Sequence, residues 1–266
     1  MDSRGNYWRM YLFIEGATCY NLVEKPEDFY QSGKAFGHFQ RLLAHYPARE
    51  LAETIPGFHD TPGRFRAFRK AVEEDICGRA SEVQNEIQFV MDREQDMGLA
   101  MDMLAKGELP LRVTHNDTKL NNIMIDDKTG QAICIIDLDT IMPGLAANDF
   151  GDSIRFGAAT AEEDEQNLDL VHFDISLYEL YVKGYLEATK DVLTPEEVES
   201  LPWGARLMTL ECGMRFLTDY LEGDTYFKTA YPEHNLVRAR TQFRLVDEME
   251  QQFDRMKEIV KKYCQN

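Results

Sequence analysis

Apolar residues fall along this chain in two spacings, and the change between them marks its most informative stretch. Tyr7 to Ile14 (Tyr-Trp-Arg-Met-Tyr-Leu-Phe-Ile) is a continuous aromatic and apolar run stopped by Glu15-Gly16, which predicts a buried strand followed by a turn. After Pro26, the positions of Phe29, Ala35, Phe36, Phe39, Leu42 and Leu43 have helical period and end near Pro47. A long amphipathic helix is expected from Ser81 to Lys106, with Val83, Ile87, Val90, Met91, Met97, Met101 and Leu104 on its apolar face. The methionines there read as core filler. Further helices are expected around Asp149 to Gly157 and Asp174 to Thr189. Thr194-Pro195-Glu196-Glu197 is a capping box with proline at the first helical position, opening a helix that reaches Leu221. A last amphipathic helix is read from Leu236 to Tyr263.

The pattern changes at Leu109. Leu111 and Val113 lead into the polar run Thr114-His115-Asn116-Asp117-Thr118-Lys119, and two short apolar strands follow, Asn122 to Ile125 and Ala132 to Asp137, separated by Asp126-Asp127-Lys128-Thr129-Gly130. This is a hairpin signal. A two-residue turn at Thr129-Gly130 would place Ile125 opposite Cys134 and Asn122 opposite Asp137. Directly opposed side chains sit ~5 Å apart at Cβ, a spacing that lets a carboxamide oxygen and a carboxylate share one hard cation such as magnesium. Asp139, two residues on, points to the same side if the strand continues. Asp117 lies on the loop entering the first strand, near that cation without having to ligate it, where a base taking a proton from an attacking hydroxyl belongs. Lys119 is the cation assigned to the transferred phosphate. His115 is expected to brace the loop.

Composition narrows the chemistry. Lys plus Arg total 29 against 47 Asp plus Glu, a formal net charge of −18, which disfavours a nucleic-acid or anionic-membrane partner. The 5 cysteines are scattered and never form a C-x-x-C pair, so neither a disulfide framework nor a zinc site is indicated and a cytoplasmic location is expected. The first residues lack a secretory pattern, and no uncharged apolar stretch approaches the ~20 residues of a membrane span.

His115-x-Asp117-x-Lys119-x-x-Asn122 followed by Ile135-Ile136-Asp137 resembles the catalytic loop and metal aspartate of the protein-kinase-like superfamily, and in particular its aminoglycoside phosphotransferase and choline kinase branch. Within that branch, Asp-Thr-Lys-Leu-Asn-Asn, Ile-Asp-Leu-Asp-Thr-Ile-Met-Pro-Gly and Asp-Phe-Gly-Asp-Ser-Ile-Arg-Phe-Gly are similar to N-acetylhexosamine 1-kinases, as is the later Glu211-Cys212-Gly213-Met214-Arg215-Phe216-Leu217-Thr218-Asp219-Tyr220-Leu221. The resemblance implies a mainly α (α+β) protein-kinase-like C-terminal lobe with a small central β-hairpin. It implies ATP- and magnesium-dependent phosphorylation of a sugar's anomeric hydroxyl, with Asp117 as base and Asn122 and Asp137 on the metal. It also implies Arg215 and Tyr226 as contacts to an acetamido sugar, with Asp152 and Arg155 at the pocket edge. A guanidinium suits several hydroxyls and an aromatic ring the apolar face of a pyranose.

Kinase-like folds carry a small sheet lobe with a phosphate-covering loop and a strand lysine. The first lysine here is Lys25, so residues 1–20 are expected to be a remnant of that lobe's last strand and hinge, residues 21–266 the large lobe, and activity of the chain alone to be low. Blander readings stand beside these. Asp149 and Asp152 can cap the helix that starts near them, Arg215 can form an ordinary helix ion pair, and Glu162-Glu163-Asp164-Glu165 reads as a solvated loop. Two alternatives in other classes are a lobe-less pseudokinase that binds sugar or a partner, and an Asp-x-Asp phosphatase built on Asp137 and Asp139. The phosphatase would require a parallel sheet of alternating strands and helices, which the pattern lacks. Oligomeric state is left open.

Overall fold

The computed structural model describes residues 1–265. Helix α1 (Pro26–Leu42) begins with proline at its first turn beside Glu27 and Asp28 and ends with Arg41, charges placed to suit the helix dipole. It packs along α6 (Ile175–Thr189), which Asp174 caps by accepting from the Ser176 and Leu177 amides. The shared core of these helices holds Phe29, Tyr181 and Tyr185, joined by Phe150 of α5 (Ala146–Gly157), whose ring meets Tyr181 at 5.4 Å and Tyr185 at 5.3 Å. A second core gathers around α2 (Thr61–Glu74), α3 (Gln84–Met91), α7 (Pro195–Leu221) and α8 (His234–Gln251). The capping box expected at Thr194 is present and opens α7.

Two of the expected long helices are broken. The run from Ser81 to Lys106 becomes α3, a 3-10 turn at Glu94–Asp96, and α4 (Leu99–Lys106), which ends on Gly107 in the left-handed region. Ion pairs pin the corner: Arg93 to Glu250 at 2.6 Å and Asp96 to Arg206 at 2.8 Å. The last helix divides at Gln252 into α8, packed on α7, and α9 (Phe253–Cys264), whose Met256, Ile259 and Val260 join the first core. Helix α8 already reaches both cores, with Leu245 and Met249 in the first and Leu236, Phe243 and Val246 in the second, and the break at Gln252 turns α9 onto the first.

The stretch from Tyr7 to Ile14, expected as a buried strand, is neither strand nor buried, with Trp8 75% and Leu12 94% exposed. A strand needs a neighbour for its N–H and C=O groups, and among the described residues near this end only β1 (Ala17–Thr18) finds one, on β3 (Ile123–Asp126). The central hairpin is real, with β3 antiparallel to β4 (Ala132–Ile135), but its register differs from the expected one. Met124, not Ile125, faces Cys134, and a bulge follows Met124. The cause is the turn. Asp126 accepts from the amides of Lys128 and Thr129 and bonds across the turn to Gln131, closing a four-residue loop rather than a two-residue one. Asn122 therefore lies across from Ile136, whose amide donates to the Asn122 carbonyl at 2.9 Å, and Asp137 follows one residue later.

A second antiparallel ladder was not foreseen: β2 (Arg112–Thr114) pairs with β5 (Met142–Gly144). Residues 115–122 leave β2 and enter β3, while residues 136–141 leave β4 and enter β5. Both loops are thus held at both ends by the two ladders. All ladders are antiparallel among the described residues, which removes the parallel-sheet phosphatase.

Helix α5 reaches the site only by lying against α7. A Cβ on Gly151 would sit 2.4 Å from the Gly204 carbonyl oxygen of α7. Gly151→Ala is expected to force the helices apart and lower unfolding stability by about 1–3 kcal/mol, read from the urea midpoint at unchanged m-value. A wild-type midpoint would mean that the two helices can separate without cost.

Candidate active site

The loop after β2 is shaped by a buried carboxylate. Asp149 of α5 is 2% exposed and accepts the backbone amides of His115 and Asn116, each at 2.8 Å, and the Gln40 amide at 3.1 Å. Burial pushes its pKa up, against the pull of those hydrogen bonds. Asn116 takes the left-handed conformation, φ 64°, and spans the loop by donating to the Thr114 and Thr140 carbonyls. His115 is fully buried; its Nε2–H donates to the Ile136 carbonyl at 3.0 Å, while Nδ1 accepts the Asp117 amide at 3.3 Å. Both bonds require the same tautomer. His115 therefore braces Asp117 and ties the loop to the segment leading to Asp137, as expected of it.

Asp117 is half-buried. Asn122 Nδ2 donates to its Oδ2 at 3.0 Å and to its carbonyl at 2.8 Å, and Lys119 Nζ stands 3.0 Å from Oδ1. Burial alone would lower the Lys119 pKa, but the Asp117 charge, with Asp152 behind it, carries it above the ordinary value. Asn122 has spent its amide nitrogen, leaving its amide oxygen without a protein partner among the described residues. Asp137, in the left-handed region at φ 59°, likewise makes no side-chain hydrogen bond there. Asp139 is turned to Arg9, with which it forms an exposed ion pair. No cluster of three or more acidic, histidine or cysteine ligands occurs among the described residues. The available donor set, one amide oxygen and one carboxylate, suits a hard cation completed by water or phosphate oxygens.

A cavity of about 410 Å³ opens where α5, α7 and this loop meet, and Asp117, Lys119, Asp152, Arg155, Arg215 and Tyr226 all line it. The chain draws these residues together from segments a hundred positions apart. Asp152 and Arg155 are spent mostly on structure. Asp152 accepts the Thr118 amide at 2.9 Å, and Arg155 pairs with Asp152 at 2.9 Å and with Glu163 at 2.6 Å. Burial works against ionising Asp152, yet Arg155 and Lys119 hold its pKa below the ordinary value. Glu163, read from sequence as part of a solvated loop, is a working member of this wall. Arg215 makes no ion pair; its guanidinium carbon lies 5.7 Å from the Phe58 ring centre, 5.9 Å from Tyr226 and 5.4 Å from Phe227.

Three residues of the wall carried no usable sequence signal. His59 Nδ1 lies 3.0 Å from Glu211, whose other oxygen accepts Thr61 Oγ1 at 2.5 Å. Burial would raise the Glu211 pKa, but the His59 and Thr61 hydrogen bonds and the Arg215 charge bring it below the usual range. Phe58 and His59 sit on a loop whose residues show no period. Glu211 is legible only as one acid among many on α7.

Helices surrounding a short antiparallel hairpin, with a His-x-Asp loop feeding it, define a kinase-like phosphotransferase. The fold is shared with choline kinase from Cryptosporidium parvum Iowa II, which aligns with a TM-score of 0.52 at 14% identity, covering 96% of this chain and 73% of that one. An ethanolamine kinase from Plasmodium vivax aligns with a TM-score of 0.51 at 14% identity, covering 86% of this chain and 64% of that one, so this chain spans under two thirds of its length. Residues 2–185 match the model of the phosphotransferase enzyme family, and the chain belongs to that family. It lies in the aminoglycoside phosphotransferase and choline kinase branch of the protein-kinase-like fold.

Removing the Asp149 carboxylate leaves two buried backbone amides without acceptors, each costing ~1–3 kcal/mol. Asp149→Ala is therefore expected to lose about 2–5 kcal/mol of stability by denaturant unfolding, while Asp149→Asn, which keeps an acceptor oxygen, loses less. Equal losses would show that the amides find other acceptors.

Proposed function

We propose that this chain transfers the γ-phosphoryl group of ATP to the anomeric hydroxyl of an N-acetylhexosamine, with magnesium as the metal. The observation that carries the reading is the single cavity shared by Asp117, Lys119, Arg215 and Tyr226. Asp117 is the base, because one of its oxygens is fixed by Asn122 and the other meets only the flexible Lys119, whereas Asp152, Glu163 and Glu211 of the same cavity are tied up in Arg155, His59 and Thr61 contacts. It accepts the sugar hydroxyl proton as the oxygen attacks phosphorus. Lys119 leaves Asp117 to meet the charge growing on the transferred group. Asn122 and Asp137 would hold the metal through their unpartnered oxygens, and Asp139 would join only by giving up Arg9. When bound, magnesium offsets negative charge on the phosphates.

Acceptor recognition falls to Arg215 and Tyr226. Arg215 has all its N–H donors unspent and its plane held among three rings, so it can reach the acetamido carbonyl or a ring hydroxyl. Tyr226, 67% exposed at the mouth, can cover an apolar sugar face. Asp152 and Arg155 shape the wall between them. The net charge of −18 argues against nucleic acid or anionic membrane as partner. No helix among the described residues is long and apolar enough to cross a membrane, and a cytoplasmic location suits five unpaired cysteines.

The test is a coupled ADP-release assay with N-acetylglucosamine and N-acetylgalactosamine, with phosphorus NMR of the product. A sugar 1-phosphate is expected. Asp117→Asn should lower kcat by about 10²–10⁴ with little change in either KM, and Asn122→Ala should raise the magnesium concentration needed for half-maximal rate. Near wild-type turnover by Asp117→Asn would end the assignment of the base, and a 6-phosphate product would end that of the hydroxyl.

A further inference from the structure

Arg215 does not stand alone. Arg64 of α2 lies against the same loop residue: its guanidinium donates to the Phe58 carbonyl at 3.3 Å, while the Phe58 ring lies 5.7 Å from the Arg215 guanidinium carbon. Together they line a second cavity of about 140 Å³, next to the one that carries Asp117 and sharing Arg215, Tyr226 and Phe227 with it. The two guanidiniums repel each other, and burial followed by the Arg215 charge holds the Arg64 pKa below its ordinary value. A pair like this is ordinarily held by direct ion pairs. Neither arginine has one among the described residues, and the charges of Glu211 and Asp60 act on Arg64 only from a distance.

The carboxylates nearby are already engaged. Glu211 is the one whose charge reaches both arginines, and its two oxygens are taken by His59 and Thr61. Asp219 lines the cavity, but its carboxylate accepts the amides of Thr225, Tyr226 and Phe227 and the Asn235 side chain. Glu222, at the rim, forms no ion pair with either arginine. The buried Nε of Arg64 has no hydrogen-bond partner, and Arg215 uses no donor at all. In a chain with 47 acidic and 29 basic residues, two adjacent arginines with unspent donors are not explained by a shortage of acids to pair them.

We propose that Arg64 and Arg215 form an oxyanion site that takes a phosphate monoester or free phosphate beside the acceptor cavity. The planar fork of each arginine can offer a pair of N–H donors to such a group, a mode of binding in which guanidinium exceeds ammonium. The site does not bind the transferred phosphoryl group, which belongs with Asp117 and Lys119. It gives the enzyme a means to sense a phosphorylated sugar, or phosphate itself, next to the acceptor. The acceptor cavity on the other side of Arg215 is the one read above as the sugar site, but the anion site stands whether or not that sugar is the right one.

The experiment is calorimetric titration of the full chain with inorganic phosphate, N-acetylglucosamine 1-phosphate, N-acetylglucosamine 6-phosphate and uncharged N-acetylglucosamine, for wild type, Arg64→Gln and Arg64→Lys. Wild type should bind at least one of the phosphates, more weakly as salt is raised. Arg64→Gln should weaken that binding about tenfold or more, Arg64→Lys by less, and neither should alter the affinity for the uncharged sugar. Tighter binding of a sugar phosphate than of inorganic phosphate identifies an organic ligand; equal binding identifies the free anion. Equal phosphate affinity in wild type and Arg64→Gln overturns the proposal, as does wild type binding no phosphate at about 10 mM. Binding of phosphate without binding of the uncharged sugar would uphold the anion site and count against the sugar assignment.

Discussion

One carboxylate sets the shape of the site. Asp149 is buried at the start of α5 and receives the two consecutive amides of His115 and Asn116, so α5 dictates where the loop turns. The turn is an unusual one, since Asn116 must adopt a left-handed backbone that only short polar side chains or glycine take readily. A carboxylate placed in a core is costly unless its oxygens are satisfied, and here three donors satisfy it. The same three bonds fix the next residue, Asp117. Everything downstream follows from that placement: the Asn122 and Lys119 contacts to Asp117, and through His115 the tie to the segment that presents Asp137.

The electrostatics of the cavity are built from charges that mostly cancel in place. Asp152, Arg155 and Glu163 form one chain of opposite charges, and Lys119 and Asp117 form a second. The buried Asp152–Arg155 pair is the stiff one, because each partner is desolvated and depends on the other. Stiffness is useful where a base must be held to within a fraction of an ångström of a reacting oxygen. The exception is Arg215, whose charge is balanced at a distance by Glu211 and cushioned by three aromatic rings. A cation held by ring faces keeps its hydrogen-bond donors free for something else.

Sequence legibility divides along the same physical lines. The helices with strong terminal signals were readable: Pro26 opens α1, Asp174 caps α6, and the Thr194 box opens α7. The loop of residues 115–122 is readable because its polar residues sit close together in the chain. The hairpin was readable, but its register was not, since the Asp126 side chain closes a longer turn than Thr129-Gly130 suggests. The break at residues 92–98 is held by ion pairs with partners over a hundred residues away, and the one at Gln252 turns α9 onto the first core; local period carries no trace of either. Tyr7 to Ile14 shows the converse error, because apolar composition predicts a strand only where a neighbouring strand exists to receive it. Asp149 was read as a helix cap. It does sit in the first turn of α5, but it caps the neighbouring loop instead.

The contact between Lys119 and Asp117 bears on how such a site can work at all. A lysine 3.0 Å from the proposed base occupies one of the two carboxylate oxygens that would have to receive the proton. That arrangement is useful only if the lysine is drawn away as the reaction begins. Asn122 holds the other oxygen of Asp117 independently, so the carboxylate keeps its position when Lys119 departs. Lys119 is a flexible chain ending in a point charge, and a phosphoryl group bearing more negative charge than a single carboxylate competes for it directly. On the proposed reading, arrival of the phosphate therefore frees one oxygen of the base at the moment a proton must be accepted. The Lys119–Asp117 ion pair is then a latch, with the amide of Asn122 as its hinge.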